Sequence, residues 1–126
     1  MTRTARGNRQ FCLTLDLIDD EELIREYEQF HQPGYAWPEV IDSIRNSGIL
    51  DMQIYRSGTQ LVMVMTVSNS FSFEDKARWD SQNPKVIEWE RLMTRFQRAS
   101  ADASADAKWQ KMQNIFDLRK HKPTNS

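Results

Sequence analysis

The chain has 126 residues, 39% of them apolar and 28% charged, with 17 Lys and Arg against 18 Asp and Glu. That length supports one domain with a core of its own, and the composition is that of a globular rather than a disordered chain. A net charge of -1 supplies no field for nucleic acid or for an acidic membrane surface. Its single cysteine, Cys12, excludes an intrachain disulfide and points to a reducing, cytoplasmic compartment.

Residues 1–10 are basic and polar without the apolar run of a secretory signal, and read as a flexible N-terminus. No stretch is long and apolar enough to span a bilayer. Phe11, Leu13, Leu15 and Leu17 alternate with polar or small residues, which predicts a strand with one apolar face. Asp19, with Glu22 three positions on, reads as the N-cap of a helix that runs to about His31. Leu23, Tyr27 and Phe30 or His31 share one side of it, and the tyrosine and the histidine, four apart, stack on the face turned to the sheet.

Gln32-Pro33-Gly34 stops that helix, and Pro38 opens a second with Val40, Ile41 and Ile44 as its buried stripe. Ser47-Gly48 closes it. Ile49 to Arg56 predicts the first arm of a hairpin, turning at Ser57-Gly58-Thr59. The returning strand, Leu61 to Val67, is apolar on both faces; helices cover one, and a second copy of the chain is the expected cover for the other. Phe73 to Asp80 reads as a short helix, and Asn83-Pro84 starts another with Val86, Trp89, Met93 and Phe96 on one stripe. Ala99 to Asp106 repeats Ala-Ser-Ala-Asp and reads as a mobile linker. Ile115 to Leu118 is the expected final strand, before a flexible tail at 119–126.

The order strand, helix pair, strand, strand, helix pair, strand is the β-α-β-β-α-β pattern of an α+β, ferredoxin-like sandwich over residues 11–118. Helices cover one face of an antiparallel sheet, and two open faces packed together form a dimeric α/β barrel.

No glycine-rich phosphate loop, Cys-x-x-Cys, nucleophile elbow or His-Glu-x-x-His occurs, and His31 is the only histidine inside the fold, so neither a metal nor a cofactor is expected. His31 titrates near neutral pH and suits proton transfer, with Tyr27 to orient it or share the work. Trp37 and Trp89 suit platforms for a sugar ring, and Tyr55, on the strand face shared with Asp51 and Gln53, suits a polar pocket group. On spacing alone each of these residues also reads as ordinary core or surface, Glu39 included.

The grouping is more telling than its members. Glu26-Tyr27-x-x-x-His31 followed by Trp37-Pro38-Glu39, with Ile54-Tyr55, Trp89 before Met93, and Ile115-Phe116-Asp117-Leu118, resembles the L-rhamnose mutarotase family from Phe11 to Leu118. The resemblance implies a cytoplasmic, dimeric, cofactor-free aldose 1-epimerase interconverting α and β anomers of a 6-deoxyhexose, with Tyr27 and His31 as catalytic pair and Trp89 binding sugar. Two departures fall near the expected pocket. Gly34-Tyr35-Ala36 lengthens the linker before Trp37, a feature that resembles an L-fucose branch, and Glu90 stands where a second tryptophan is expected. A non-catalytic sugar-binding or regulatory protein, and a cofactor-free oxygenase, are the alternatives on the same fold.

Overall fold

The computed structural model describes residues 9–98 and 108–123. The linker expected over Ala99 to Asp106 lies outside the described residues, as do residues 1–8 of the N-terminus and 124–126 of the tail. Strand β1 (Arg9–Asp16) leads to helices α1 (Glu21–Phe30) and α2 (Pro38–Asn46), then the hairpin β2 (Ile49–Ser57) and β3 (Gln60–Val67). Helices α3 (Phe73–Asp80) and α4 (Pro84–Met93) follow, and a short β4 (Gln110–Lys111) closes the sheet. The order across the sheet is β2-β3-β1-β4 with every pair antiparallel. This is the ferredoxin-like α+β arrangement, in which the first strand sits inside the sheet.

Alternation on β1 and β3 decides which face is buried. Leu13, Leu15, Leu61, Met65 and Val67 point under the helices and are buried, whereas Cys12, Thr14, Val62, Val64 and Thr66 form the other face and stay half-exposed. A one-residue register shift between Ile49 and Asp51 makes Leu50 the extra residue of a bulge. The bulge lets Ile49, Met52 and Ile54 all face the helices, and it puts Asp51, Gln53 and Tyr55 on the uncovered face. Gly58 takes φ 60 at the first position of the two-residue turn between β2 and β3, where a left-handed residue suits the twist of the hairpin.

Two sequence expectations are corrected. The N-cap of α1 is Asp20, not Asp19: its Oδ1 accepts from the backbone of Glu22 at 3.0 Å and Leu23 at 3.1 Å. The closing strand is Gln110–Lys111, paired with Leu13 and Thr14, not Ile115 to Leu118. Leu118–Lys120 is a short 3-10 turn, and Ile115, Phe116 and Leu118 are exposed. The pairing is carried by backbone hydrogen bonds continued by Met112 N donating to the Cys12 carbonyl at 2.8 Å, and polar residues suffice for so short a strand at the sheet edge.

The larger core cluster joins Leu15, Leu17, Leu61, Tyr27, Val40, Trp89, Met93 and Phe96; the smaller gathers Leu13, Ile49, Met65, Val67 and Phe71. Trp109, beside β4, packs against both.

Candidate active site

A cleft of about 1160 Å³ opens between the helices and the covered sheet face. Leu13, Leu61 and Met63 form part of its floor, while Tyr27, His31, Trp89 and Glu90 reach it from α1 and α4. Helix α1 places the first two. Its Asp20 cap and the acidic Glu21 and Glu22 favour the start of the helix, and His31 is its C-cap, with φ -99 and ψ 0. Gly34 then reverses the chain at φ 89, with Tyr35 N donating to the Gln32 carbonyl at 2.9 Å. The Gly34-Tyr35-Ala36 linker is thus a turn whose Tyr35 faces solvent and whose Ala36 borders the cleft.

The Tyr27 and His31 rings stack with centroids 4.4 Å apart and planes inclined by 36°. His31 Nδ1 lies 2.7 Å from the Tyr27 carbonyl oxygen. A carbonyl can only accept, so Nδ1 carries the proton and the neutral ring keeps its lone pair on Nε2. Burial pushes the His31 pKa below its usual value, opposed by the bond to Tyr27 and by the nearby Glu90 carboxylate. The imidazole is therefore neutral at pH 7. Tyr27 is only 4% exposed, and burial pushes its pKa well above the ordinary phenol value. The neighbouring Gln97 side chain acts in the opposite direction; Glu90 reinforces the upward shift. A neutral imidazole and a protonated phenol thus stand side by side.

Trp89 meets His31 edge to face at 5.6 Å and Trp37 at 5.3 Å. Phe30 closes the other side of Trp89 at 6.1 Å. Trp37 precedes Pro38 at the start of α2 and caps it through its carbonyl, which accepts from Val40 and Ile41 at 3.0 and 3.1 Å. It buttresses Trp89 from behind. Tyr27, His31, Trp37 and Trp89 are thus brought into one group. Tyr55 borders the cleft but stands apart from this group: its register puts it on the strand face of Gln53, to whose Oε1 its hydroxyl donates at 2.9 Å, and it is 59% exposed. Glu39 is likewise exposed, on the first turn of α2.

Three polar residues of this region escaped the sequence reading. Lys108 has a fully buried side chain, and its Nζ donates to Glu90 Oε1 at 2.8 Å, to the Glu90 carbonyl at 3.1 Å and to Thr94 Oγ1 at 3.4 Å. Glu90 is thereby held as one member of an ion pair at the cleft wall. Arg56 Nε donates to Glu28 Oε2 at 2.5 Å across the mouth of the cleft, from β2 to α1, in a half-exposed pair that contributes less than about 1 kcal/mol. Gln97 is the third. It is 4% exposed, and its Oε1 alone among the buried side-chain polar atoms of the described residues has no hydrogen-bond partner. An open buried carbonyl costs on the order of 1–3 kcal/mol. Gln97 sits four residues after Met93, so a polar residue at the next position of an apolar stripe was the available signal. Among the described residues, no group of three or more His, Cys, Asp and Glu side chains is placed to hold a metal ion.

Residues 10–118 match the family model described as L-rhamnose mutarotase. An L-fucose mutarotase of Xanthomonas campestris pv. campestris is 42% identical over 110 residues, covering 87% of this chain and 88% of that protein. A UPF0734 protein of Dictyostelium discoideum is 32% identical over 114 residues, 87% and 90% of the two chains. The crystal structure of an L-rhamnose mutarotase from Formosa agariphila superposes with a TM-score of 0.63 at 15% identity over 86% of this chain and 97% of the other, a likeness of fold. With a family model matching residues 10–118 and a 42% identical relative covering 87% of it, the chain belongs to the L-rhamnose mutarotase family.

Proposed function

We propose that the protein is a mutarotase, an aldose 1-epimerase that interconverts the α and β anomers of a 6-deoxyhexose, and that L-fucose is its preferred sugar. The observation that carries the reading is the Tyr27–His31 pair: a protonated phenol beside an imidazole whose free Nε2 is fixed by the 2.7 Å contact of Nδ1 with the Tyr27 carbonyl. The family supports the reaction, and the 42% relative supports the sugar.

Mutarotation moves two protons and breaks one bond. His31 Nε2 takes the proton of the anomeric hydroxyl while Tyr27 gives its own to the ring oxygen. The bond from the anomeric carbon to the ring oxygen breaks, leaving an open-chain aldehyde. Rotation about the adjacent carbon–carbon bond presents the other face of the aldehyde. The ring oxygen then attacks it, returning its proton to Tyr27, and the new anomeric oxygen recovers a proton from His31. Each well-placed acid or base contributes about 10²–10⁴-fold, and the protons balance with no cofactor. Trp89 offers an indole face on which the C–H face of the sugar packs, and Trp37 holds that indole in place.

The uncovered sheet face supports a homodimer. Cys12, Val62 and Val64 there are left half-exposed by the described residues, and Tyr55 belongs to this face. The free Cys12 accords with a cytoplasmic setting, and among the described residues no helix is long and apolar enough to cross a membrane.

Saturation-transfer NMR on L-fucose and L-rhamnose tests the activity. Faster anomer exchange for L-fucose than for L-rhamnose is the expected result. Sugar binding without faster exchange would instead favour a non-catalytic sugar-binding protein, and oxygen uptake with an electron-rich aromatic substrate would favour an oxygenase.

A further inference from the structure

We infer that Gln97 is a sugar-binding residue, its unpaired Oε1 accepting a hydrogen bond from a ring hydroxyl of the substrate; the inference rests on the mutarotase reading of the same cleft. Four observations converge on it. Gln97 lines the cleft, yet it is 4% exposed, so its side chain belongs to the wall and not to a solvated rim. Its side chain lies close enough to the Tyr27 phenol to bear on that group's proton affinity, which places it beside the proton-transfer pair. The amide Oε1 is buried and meets no donor of the protein. Finally, its backbone is held and has little freedom to swing the carbonyl out. Gln97 forms a β-bridge with Leu17, flanked by Ile18 N donating to the Phe96 carbonyl and Arg98 N to the Asp16 carbonyl, both at 2.9 Å.

The contrast with Lys108 sharpens the point. Lys108 is buried behind Glu90 of that wall, but its three hydrogen-bonding contacts lie within the protein, to Glu90 Oε1, the Glu90 carbonyl and Thr94 Oγ1. A buried acceptor left open beside a proton-transfer group needs a donor brought by a ligand, and a hydroxyl-rich sugar brings several. A hydroxyl bound there would sit next to the Tyr27 phenol, so the same amide that bears on the acid would fix the register of the ring. A site built to hydrogen-bond one hydroxyl discriminates strongly against an analogue that lacks it, because the site's polar group is then left unpaired.

The test pairs substitutions with hydroxyl deletions in the full-length chain. Dissociation constants are measured by calorimetry for L-fucose and its 2-, 3- and 4-deoxy analogues, with anomer exchange followed by NMR. The wild type should lose about tenfold or more in affinity for one analogue, the one without the hydroxyl that Gln97 accepts. Gln97→Met, close in size and apolar, should bind L-fucose about tenfold more weakly and be nearly indifferent to that one deletion, while still sensing the others. Gln97→Glu keeps an acceptor oxygen and should keep the discrimination. A folded Gln97→Met that binds L-fucose as the wild type does, or that loses the same affinity for every deoxy sugar, overturns the assignment. If Gln97→Met fails to fold, Gln97→Glu decides it, since loss of discrimination there is equally contradictory. A wild type that neither binds nor exchanges any of these sugars overturns the mutarotase reading itself, and is told apart by that.

Discussion

At the scale of single residues the cleft widens a difference in proton affinity that the free side chains already have. Burial lowers the affinity of His31 for a proton and raises that of Tyr27, so a neutral base and a protonated acid stand together over a wider pH range than in water. Tyr27→Phe keeps the buried ring and removes only the proton donor. It should cut the exchange rate at saturating sugar by about 10²–10⁴-fold with a small change in stability, checked by NMR exchange and thermal melting. The pH dependence has a fixed sign. The folded-state pKa of His31 lies below its ordinary value of 6.5, so the unfolded chain binds the proton first as pH falls. The His31 contribution to stability is present above pH 6.5 and is lost as pH falls through the lowered value. Exchange should fall with the same acid limb, since protonated His31 is no base; a rate that rises as pH drops below 6.5 would contradict the role.

The residues that were legible in the sequence are those placed by helical periodicity. Tyr27 and His31 meet because they are four apart, and Trp89 lies on the same stripe as Val86 and Met93. Gln97 and Lys108 were not legible, because their importance comes from partners elsewhere in the chain: Tyr27 for one, Glu90 and Thr94 for the other. Tyr55 lies on the strand face that the alternation predicts, shared with Asp51 and Gln53, and also borders the cleft.

At the scale of elements the same distinction holds. Apolar alternation located β1 and β3, and proline and glycine marked the bounds of α2. Asp19 and Asp20 are both competent caps for α1, and only the backbone conformation chooses Asp20 over the Asp19 that the pattern suggests. Apolar content points to Ile115 to Leu118 for the last strand, whereas Gln110 and Lys111 pair at the edge through their backbone. Gly48 is where an element end depends on one residue. Its φ is 99, and a Cβ there would lie 2.9 Å from Ser68 Oγ. Gly48→Ala should therefore destabilise the fold by about 1–3 kcal/mol in urea denaturation, through left-handed strain and the close contact. Gly58→Ala has no such contact and should cost less.

At the scale of the whole molecule, a sheet covered on one face poses the question of the other. Val62 and Val64 lie opposite Thr14 and Cys12 there, an apolar strip that a second copy of the same sheet would bury. Light scattering should accordingly give twice the 14.9 kDa of the chain, and Val64→Lys should shift the population toward monomer without unfolding it. A wild type that runs as a monomer at all concentrations would remove this reading of the uncovered face, and with it the place assigned to Tyr55.

Each scale converges on the corner where α1 ends beside α4. The central claim is that this corner transfers protons at the anomeric centre, and saturation-transfer NMR between the anomers of L-fucose tests it most directly. The wild type should accelerate exchange well above the spontaneous rate, and folded His31→Ala, verified by circular dichroism, should return it to that rate. Equal acceleration by wild type and His31→Ala would contradict the account.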